Sequence, residues 1–283
     1  LQDVGTRVYT FIYTLSYCME AARRFGKRVA VLDRPNPLGG VMVEGNCLRP
    51  EYGSFVGRYS IPMRHGMTIG EIARLFNDHF GIGCDLAVIP MAGWERGMVF
   101  CDTGLPWVPP SPNLPTPASA VVYPGQVVWE GTNLSEGRGT TQPFEIFGAP
   151  FVDVDRLIEA MGGRDQPGAL LRPVAFEPTA GKWSGSLCRG FQIHPTDISA
   201  YRPFTLSLKL LQGIFRHHRE DFQWKPPPYE YEFEKLPIDL ILGDRSVRKR
   251  IESMADIDEM VSGWEGDIER FIRIGRRFRL YSG

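Results

Sequence analysis

No C-x-x-C pair occurs in this chain. Its five cysteines, at positions 18, 47, 84, 101 and 188, are odd in number and scattered. That excludes a disulfide framework or zinc ribbon and leaves most of them to be small buried hydrophobes. Neither sign of charge dominates: 32 Lys and Arg stand against 33 Asp and Glu, a net charge of −1, so no nucleic-acid or other polyanion partner is expected. No apolar run reaches the ~18 residues of a bilayer crossing, so no membrane span is expected. G-x-G-x-x-G after a strand, G-x-x-x-x-G-K-[ST] and the G-x-S-x-G elbow are all missing, which removes the dinucleotide fingerprint, the phosphate loop and the common hydrolase serine. The histidines at 65, 79, 194, 217 and 218 keep no metal-ligand spacing, and neither metal nor cofactor is expected. An initiator Met and a signal peptide are absent too. Leu1 to Gly5 resembles the end of a strand entering a loop, so residues upstream are expected, and with them any export signal.

What is present suits one large domain or two ordinary ones: 283 residues, 43% hydrophobic, with 17 Phe. From Val8 to Phe25 apolar residues recur at the helical period, and Gly26 is a good stop. Arg28 to Asp33 is a short apolar run of the kind buried in parallel sheets, and it ends in a Pro- and Gly-rich loop. Thr68 to Glu71 matches a capping box opening a second helix, and Asp85 to Met91 is a second buried strand. Helix followed by strand, twice, argues for an α/β fold with a Rossmann-like open sheet in residues 1–150, its N-terminal part incomplete. Ligands of such sheets bind outside the carboxyl ends of the strands, which places Asp33, Asn36, Trp94, Glu95 and Arg96 on that rim. Residues 41–66 are expected to be irregular. Residues 105–117 hold six prolines in thirteen positions, read as a stiff cleft wall around Trp107 and Asn113.

After Thr141 the pattern changes to a smaller α+β domain, residues 151–283. Asp153 caps a short helix closed by Gly162-Gly163. Short strands are expected at 174–176, 190–193 and 229–233, helices at 204–218 and from Ile257 onward, and a closing strand at 276–281.

The densest polar stretch runs from Glu130 to Thr141. It carries two carboxylates, an Asn, an Arg, four hydroxyls and three glycines around one hydrophobe, Leu134. Apolar residues from Val121 lead into it as an expected strand ending at Glu130. Glu130 then has the apolar flank of Trp129, which suits a general acid, whereas Glu136 lies two residues from Arg138, a partner for an anion. Carboxylates, amides, arginines and tryptophans on loops are the chemistry of sugar recognition and cleavage: indoles stack on a pyranose, polar groups bind hydroxyls, and two carboxyl groups break the glycosidic bond. Loop-bracing ion pairs are the alternative for each residue. His65, between Arg64 and Gly66, is a further site candidate.

Five segments resemble one bacterial family: D-V-G-T-R-V-Y-T (3–10), L-D-R-P-N-P-L-G-G (32–40), S-F-V-G-R-Y-S-I-P-M-R-H-G-M-T-I-G-E (54–71), G-L-P-W-V-P-P-S-P-N-L-P-T (104–116) and E-G-T-N-L-S-E-G-R-G-T-T-Q-P-F-E-I-F-G-A-P (130–150). They are similar to DUF1343, associated with NamZ-type exo-β-N-acetylmuramidases. The resemblance implies a Rossmann-like domain followed by a smaller one, an active site in the cleft between them, and release of terminal N-acetylmuramic acid from peptidoglycan fragments in cell-wall turnover. It favours a secreted or periplasmic location. The family carries a P-E-H-G motif upstream whose Glu is the favoured catalytic acid, and this sequence has none. The site residues carried over are Glu130 and Glu136 as catalytic carboxylates, with Asp3, Asp33, Asn36, His65, Asn113, Asn133 and Arg138 binding a muramyl saccharide. The lactyl carboxylate of the muramic acid is assigned to Arg138, whose fork matches it. A non-catalytic module that binds peptidoglycan fragments is the rival reading, and a nucleotide-sugar- or nucleotide-binding α/β protein is a third, disfavoured by the missing phosphate loops.

Overall fold

The computed structural model describes residues 1–282. It is a mixed α/β structure with open sheets. The chain forms two compact units, Leu1–Pro110 with Trp264–Gly283, and Ser111–Gly263. The division therefore falls before the boundary expected near residue 150, and the end of the chain returns to the first unit.

In the first unit, helix α1 (Phe11–Arg24) leads to strand β1 (Arg28–Leu32). Strands β2 (Glu44–Cys47) and β3 (Pro62–Arg64) form an antiparallel pair where no regular structure was expected. Helix α2 (Ile69–Arg74) continues as one π-turn, Leu75–His79, and leads to β4 (Asp85–Ile89). β1 and β4 pair in parallel, Arg28 opposite Asp85 and Leu32 opposite Ile89. Of the expected Rossmann-like sheet, the described residues hold this two-stranded pair.

Alternation along the two strands sends Val29, Val31, Leu86 and Val88 into a core with Ile12, Met19, Ile72 and Phe76. The other face is not buried as expected, since Leu32 is 72% and Ile89 54% exposed. Both strands read as continuous apolar runs, but only one of their faces is covered here. The segment expected as a closing strand, 276–281, instead opens with a 3-10 turn (Arg276–Phe278) that follows directly on a helix (Glu265–Gly275), and Phe271 and Phe278 fill the same core.

In the second unit, Thr116 caps helix α3 (Pro117–Gln126), which runs into a 3-10 turn, Val127–Gly131. This replaces the strand expected before Glu130. Strand β5 (Ile146–Ala149) precedes helix α4 (Val154–Ala160), whose cap is the expected Asp153. β6 (Asp165–Gln166), β7 (Ala169–Phe176) and β8 (Cys188–Pro195) complete an antiparallel sheet in the order β5-β8-β7-β6. Four helices follow: α5 (Pro203–His217), α6 (Pro237–Leu242), α7 (Arg245–Glu252) and α8 (Ile257–Ser262). The helix of the first unit that follows them, Glu265–Gly275, is α9. Tyr229 to Glu232 is a tight turn held by one bridge, where a strand was expected.

No described helix is long and apolar enough to cross a membrane. Of the five cysteines, Cys84 and Cys188 are buried, Cys47 is half-buried, and Cys18 and Cys101 are exposed, so the expectation of burial holds for only part of the set.

Candidate functional site

The polar stretch converges on itself. Glu130 lies on the 3-10 turn and Glu136 in the loop leading to β5. Arg138 bridges them: its Nη2 donates to Glu130 Oε1 at 2.6 Å and its Nε stands 3.1 Å from Glu136 Oε1. Each glutamate has a second donor from far along the chain. Tyr229 Oη donates to Glu130 Oε2 at 2.6 Å, and Lys182 Nζ donates to Glu136 Oε2 at 2.9 Å. Two anions and two cations therefore share one partly buried cluster. Paired charges of this kind hold each other in place when removed from water. Burial works against the Arg138 cation, but Glu130 and then Glu136 outweigh it and raise its pKa. Burial lowers the pKa of Lys182 against the pull of Glu136. The Tyr229 phenol is pushed well up, by burial first and the Glu130 charge second, so it remains a hydrogen-bond donor.

The cluster is not uniformly open. The Arg138 side chain is 39% exposed, Glu130 14% and Glu136 6%. Nε and Nη2 of Arg138 face the glutamates, and its guanidinium carbon lies 5.2 Å from the centre of the Phe144 ring. The loop approaches its neighbour closely: a Cβ on Gly139 (φ +79°) would lie 2.4 Å from the Ala180 carbonyl oxygen, so only glycine fits.

Trp129 does not offer a sugar platform. It is fully buried, stacked on Phe147 at 4.5 Å, with Nε1 donating to Gln126 Oε1 at 2.9 Å. Glu130 accordingly has a cation and a phenol beside it rather than the apolar strand end expected. Asn133 does not join the cluster. Its Nδ2 donates to Asp221 O and its Oδ1 accepts from Gln223 N, tying down a neighbouring segment. Asn113 sits half-buried in the proline run, its backbone N–H on Ser111 Oγ.

The first-unit candidates share a different hub, residues 65–70. Asp3 Oδ2 accepts from Gly5 N and lies 3.2 Å from Nε2 of the fully buried His65, whose Nδ1 accepts from Met67 N. That contact is close enough for an ion pair but not aligned as a hydrogen bond. Asn36 donates to Met67 O and accepts from Leu38 N. Asp33 takes four donors: Arg34 N, Gly70 N, Thr68 Oγ1 and Tyr281 Oη. A Cβ on Gly70 would stand 2.7 Å from Asp33 Cγ, so the first turn of α2 can reach this carboxylate only with glycine there. Burial, then the hydrogen bond to Asp33, raises the Tyr281 pKa. Arg96 and Trp94, expected on the same rim, are buried as well. Outside the strand ends of β1 and β4 lies a cavity of about 380 Å³ lined by Asp33, Arg34, Trp94, Met98 and Asp102 among others.

Lys182 and Tyr229 are the two residues that sequence reasoning missed. Lys182 carries a weak signal, a Lys-Trp pair between Gly181 and Gly185. Tyr229 has none beyond its place after three prolines.

Comparison with known proteins fits this geometry into a family. Residues 1–118 match the family described as exo-β-N-acetylmuramidase NamZ, N-terminal, and residues 121–281 its C-terminal counterpart. The peptidoglycan β-N-acetylmuramidase NamZ of Bacillus subtilis (strain 168) is 44% identical over 281 residues, covering 99% of this chain. The chain spans 66% of that relative's length, just under two thirds. Two crystal structures of DUF1343 family proteins from Bacteroides fragilis NCTC 9343 are similar throughout the chain. One has a TM-score of 0.89 at 31% identity, covering 99% of this chain and 73% of its own. The other has a TM-score of 0.74 at 29% identity, covering 99% and 74%. The chain belongs to the family of the exo-β-N-acetylmuramidase NamZ, known also as DUF1343.

Proposed function

We propose that the chain works as an exo-β-N-acetylmuramidase, a glycosidase that releases terminal N-acetylmuramic acid from the non-reducing ends of peptidoglycan fragments during cell-wall turnover. The observation that carries this reading, beyond family membership, is the Arg138 bridge between Glu130 and Glu136. A muramyl sugar differs from its glucosamine counterpart by an anionic lactyl arm. The exposed side of Arg138 offers planar donors to that arm, and Glu130 lies beside it as the more accessible of the two carboxylates. Glu130 is assigned to contact the reacting sugar and Glu136 to anchor Arg138. Both accept hydrogen bonds and donate none, so each suits an anion that takes up a proton, attacks, or balances developing positive charge on the sugar ring. Protonation of the leaving oxygen falls to a group outside this cluster.

Asp33, Asn36 and Asp3 with His65 are assigned to hold the loops of the first unit in shape, since their polar atoms already meet protein partners. Asn133 and Asn113 are given the same supporting part.

Incubation with a chromogenic N-acetylmuramide tests the activity directly, with turnover as the expected result. Saturable binding of N-acetylmuramic acid with no turnover would favour the rival reading of a binding module, which the donor-only surroundings of both carboxylates also permit. Arg138→Ala separates specificity from chemistry. The ratio of kcat/KM for the N-acetylmuramide over the matching N-acetylglucosaminide is expected to fall about 10- to 100-fold, the worth of one charge-assisted pair. An unchanged ratio removes Arg138 from lactyl recognition.

A further inference from the structure

The loop between β7 and β8 folds back over the polar stretch and grips it at three places. Thr179 donates to the Gly139 carbonyl twice, from N at 2.9 Å and from Oγ1 at 2.8 Å. Trp183 Nε1 donates to Asn133 O at 2.6 Å. Between them Lys182 extends its ammonium into the stretch, where Nζ meets Trp129 O at 2.7 Å, Leu134 O at 2.9 Å and Glu136 Oε2 at 2.9 Å. An ammonium has three N–H donors, and all three are engaged.

The three acceptors are unequally placed along the chain. Trp129 immediately precedes Glu130, and Leu134 lies two residues before Glu136. One cation therefore ties the backbone at one carboxylate to the backbone and side chain at the other. Arg138 cross-links the same two glutamates through their side chains. The division of labour is visible in exposure: the Lys182 side chain is 23% exposed and faces inward, whereas that of Arg138 is 39% exposed.

Charge gives the second half of the argument. Glu130 and Glu136 face Arg138 and Lys182, and a third cation, Lys225, stands nearby with its Nζ 5.4 Å from the centre of the Tyr229 ring, so the surroundings carry one positive charge more than negative. Without Lys182 that surplus is gone, and an incoming carboxylate loses the attraction it supplied. Lys182 also satisfies Glu136 from the side opposite Arg138, so the guanidinium is not the sole neutraliser of two anions and retains capacity for a third.

We propose that Lys182 is a positioning residue for specificity: acting through Glu136 and the carbonyls of Trp129 and Leu134, it sets the spacing and charge balance that let Arg138 accept an anionic sugar. The assignment rests on the muramyl reading given above. Lys182 touches no substrate in this scheme, and a purely structural role would weaken all ligands alike.

The test compares Lys182→Met, Lys182→Arg and Thr179→Val with the unaltered chain. Affinities for N-acetylmuramic acid and for N-acetylglucosamine, which lacks the lactyl arm, are measured by calorimetry, with circular dichroism to confirm folding. Lys182→Met is expected to lower the affinity ratio of the acidic over the neutral sugar by about tenfold or more, the effect of one lost charge on a partly buried anion site. Lys182→Arg should restore most of the ratio. Thr179→Val, which loosens the same loop without altering charge, should leave it unchanged. If Lys182→Met does not fold, Lys182→Gln carries the same comparison, since it retains a donor but no charge. A ratio unaffected by the loss of charge, or lowered equally by Thr179→Val, overturns the Lys182 assignment alone. An unaltered chain that binds neither sugar brings down the muramyl reading and the assignment with it.

Discussion

Glu130→Gln is expected to lower kcat on a terminal N-acetylmuramide by about 10²- to 10⁴-fold, the usual contribution of a positioned acid or base. KM should change much less, because the lactyl arm is assigned to Arg138 and not to Glu130. The reason lies in the asymmetry of the two carboxylates. Glu136 faces two cations, Arg138 and Lys182, and is almost inaccessible. Glu130 faces one cation and one neutral phenol and is more open. A Gln side chain keeps the shape but carries no charge and presents N–H groups to one of two donors, Arg138 Nη2 or Tyr229 Oη. It can therefore neither take up a proton nor balance positive charge on the sugar. Glu136→Gln should act differently: its main consequence is a loosened Arg138, seen as a raised KM for muramyl substrates with a smaller fall in kcat. Steady-state kinetics on both variants decide the matter. If Glu130→Gln turns over at the unaltered rate, Glu130 has no part in the chemistry, and if Glu136→Gln shows the larger fall in kcat, the two roles must be exchanged.

The local signals in the sequence were good guides and the long-range ones were silent. The capping box at Thr68 and Glu71 forms as its spacing predicts, and Asp153 caps its helix, because both depend on atoms within three residues. The density of polar groups from Glu130 to Thr141 marked the carboxylate cluster for the same reason: Glu130, Glu136 and Arg138 are close in the chain. The strand expected before Glu130 proved to be α3 and a 3-10 turn. An apolar run of that length has no period of its own to separate a buried strand from a buried helix. Lys182 and Tyr229 reach the cluster across 46 and 99 positions of sequence, a separation no local pattern reports. The first-unit candidates show the converse limit. Asp33 and Asn36 were singled out as polar groups on a loop after a strand, and His65 as a histidine between Arg64 and Gly66 in an irregular stretch. In the structure they serve those loops, whose backbone N–H and C=O groups need partners once buried. Polarity on a loop does not by itself distinguish a ligand contact from a brace.

Arg96→Met is the variant expected to cost most in stability, about 3–5 kcal/mol, the usual penalty for breaking a buried ion pair from one side. Arg96 is 1% exposed and Glu71 is fully buried. Arg96 Nη2 donates to Glu71 Oε1, and Nη1 donates to the Gly40 and Gly66 carbonyls at 3.1 and 2.9 Å. Glu71 Oε1 also accepts from Leu280 N at 2.9 Å, and Oε2 from Thr68 N at 3.1 Å as half of the capping box. One guanidinium thus joins the loop after β1, the turn before α2 and, through Glu71, the end of the chain. Removing it leaves the interior carboxylate without its paired cation, with only the charge of Arg279 nearby to act on it, and takes a donor from each of two carbonyls. Glu71→Gln should cost less, because glutamine preserves the capping box and leaves Arg96 its two carbonyl acceptors. The double variant Arg96→Met with Glu71→Met should be less destabilised than the sum of its parts, since each single change orphans the other partner. Urea unfolding with a shared slope measures these three and the single Glu71→Met that completes the cycle. A cost below about 1 kcal/mol for Arg96→Met, the range of exposed pairs, would mean that water reaches the Glu71 carboxylate once the arginine is gone. The loop that carries His65 would then owe its shape to Asp33 and Asn36 rather than to the ion pair beneath it.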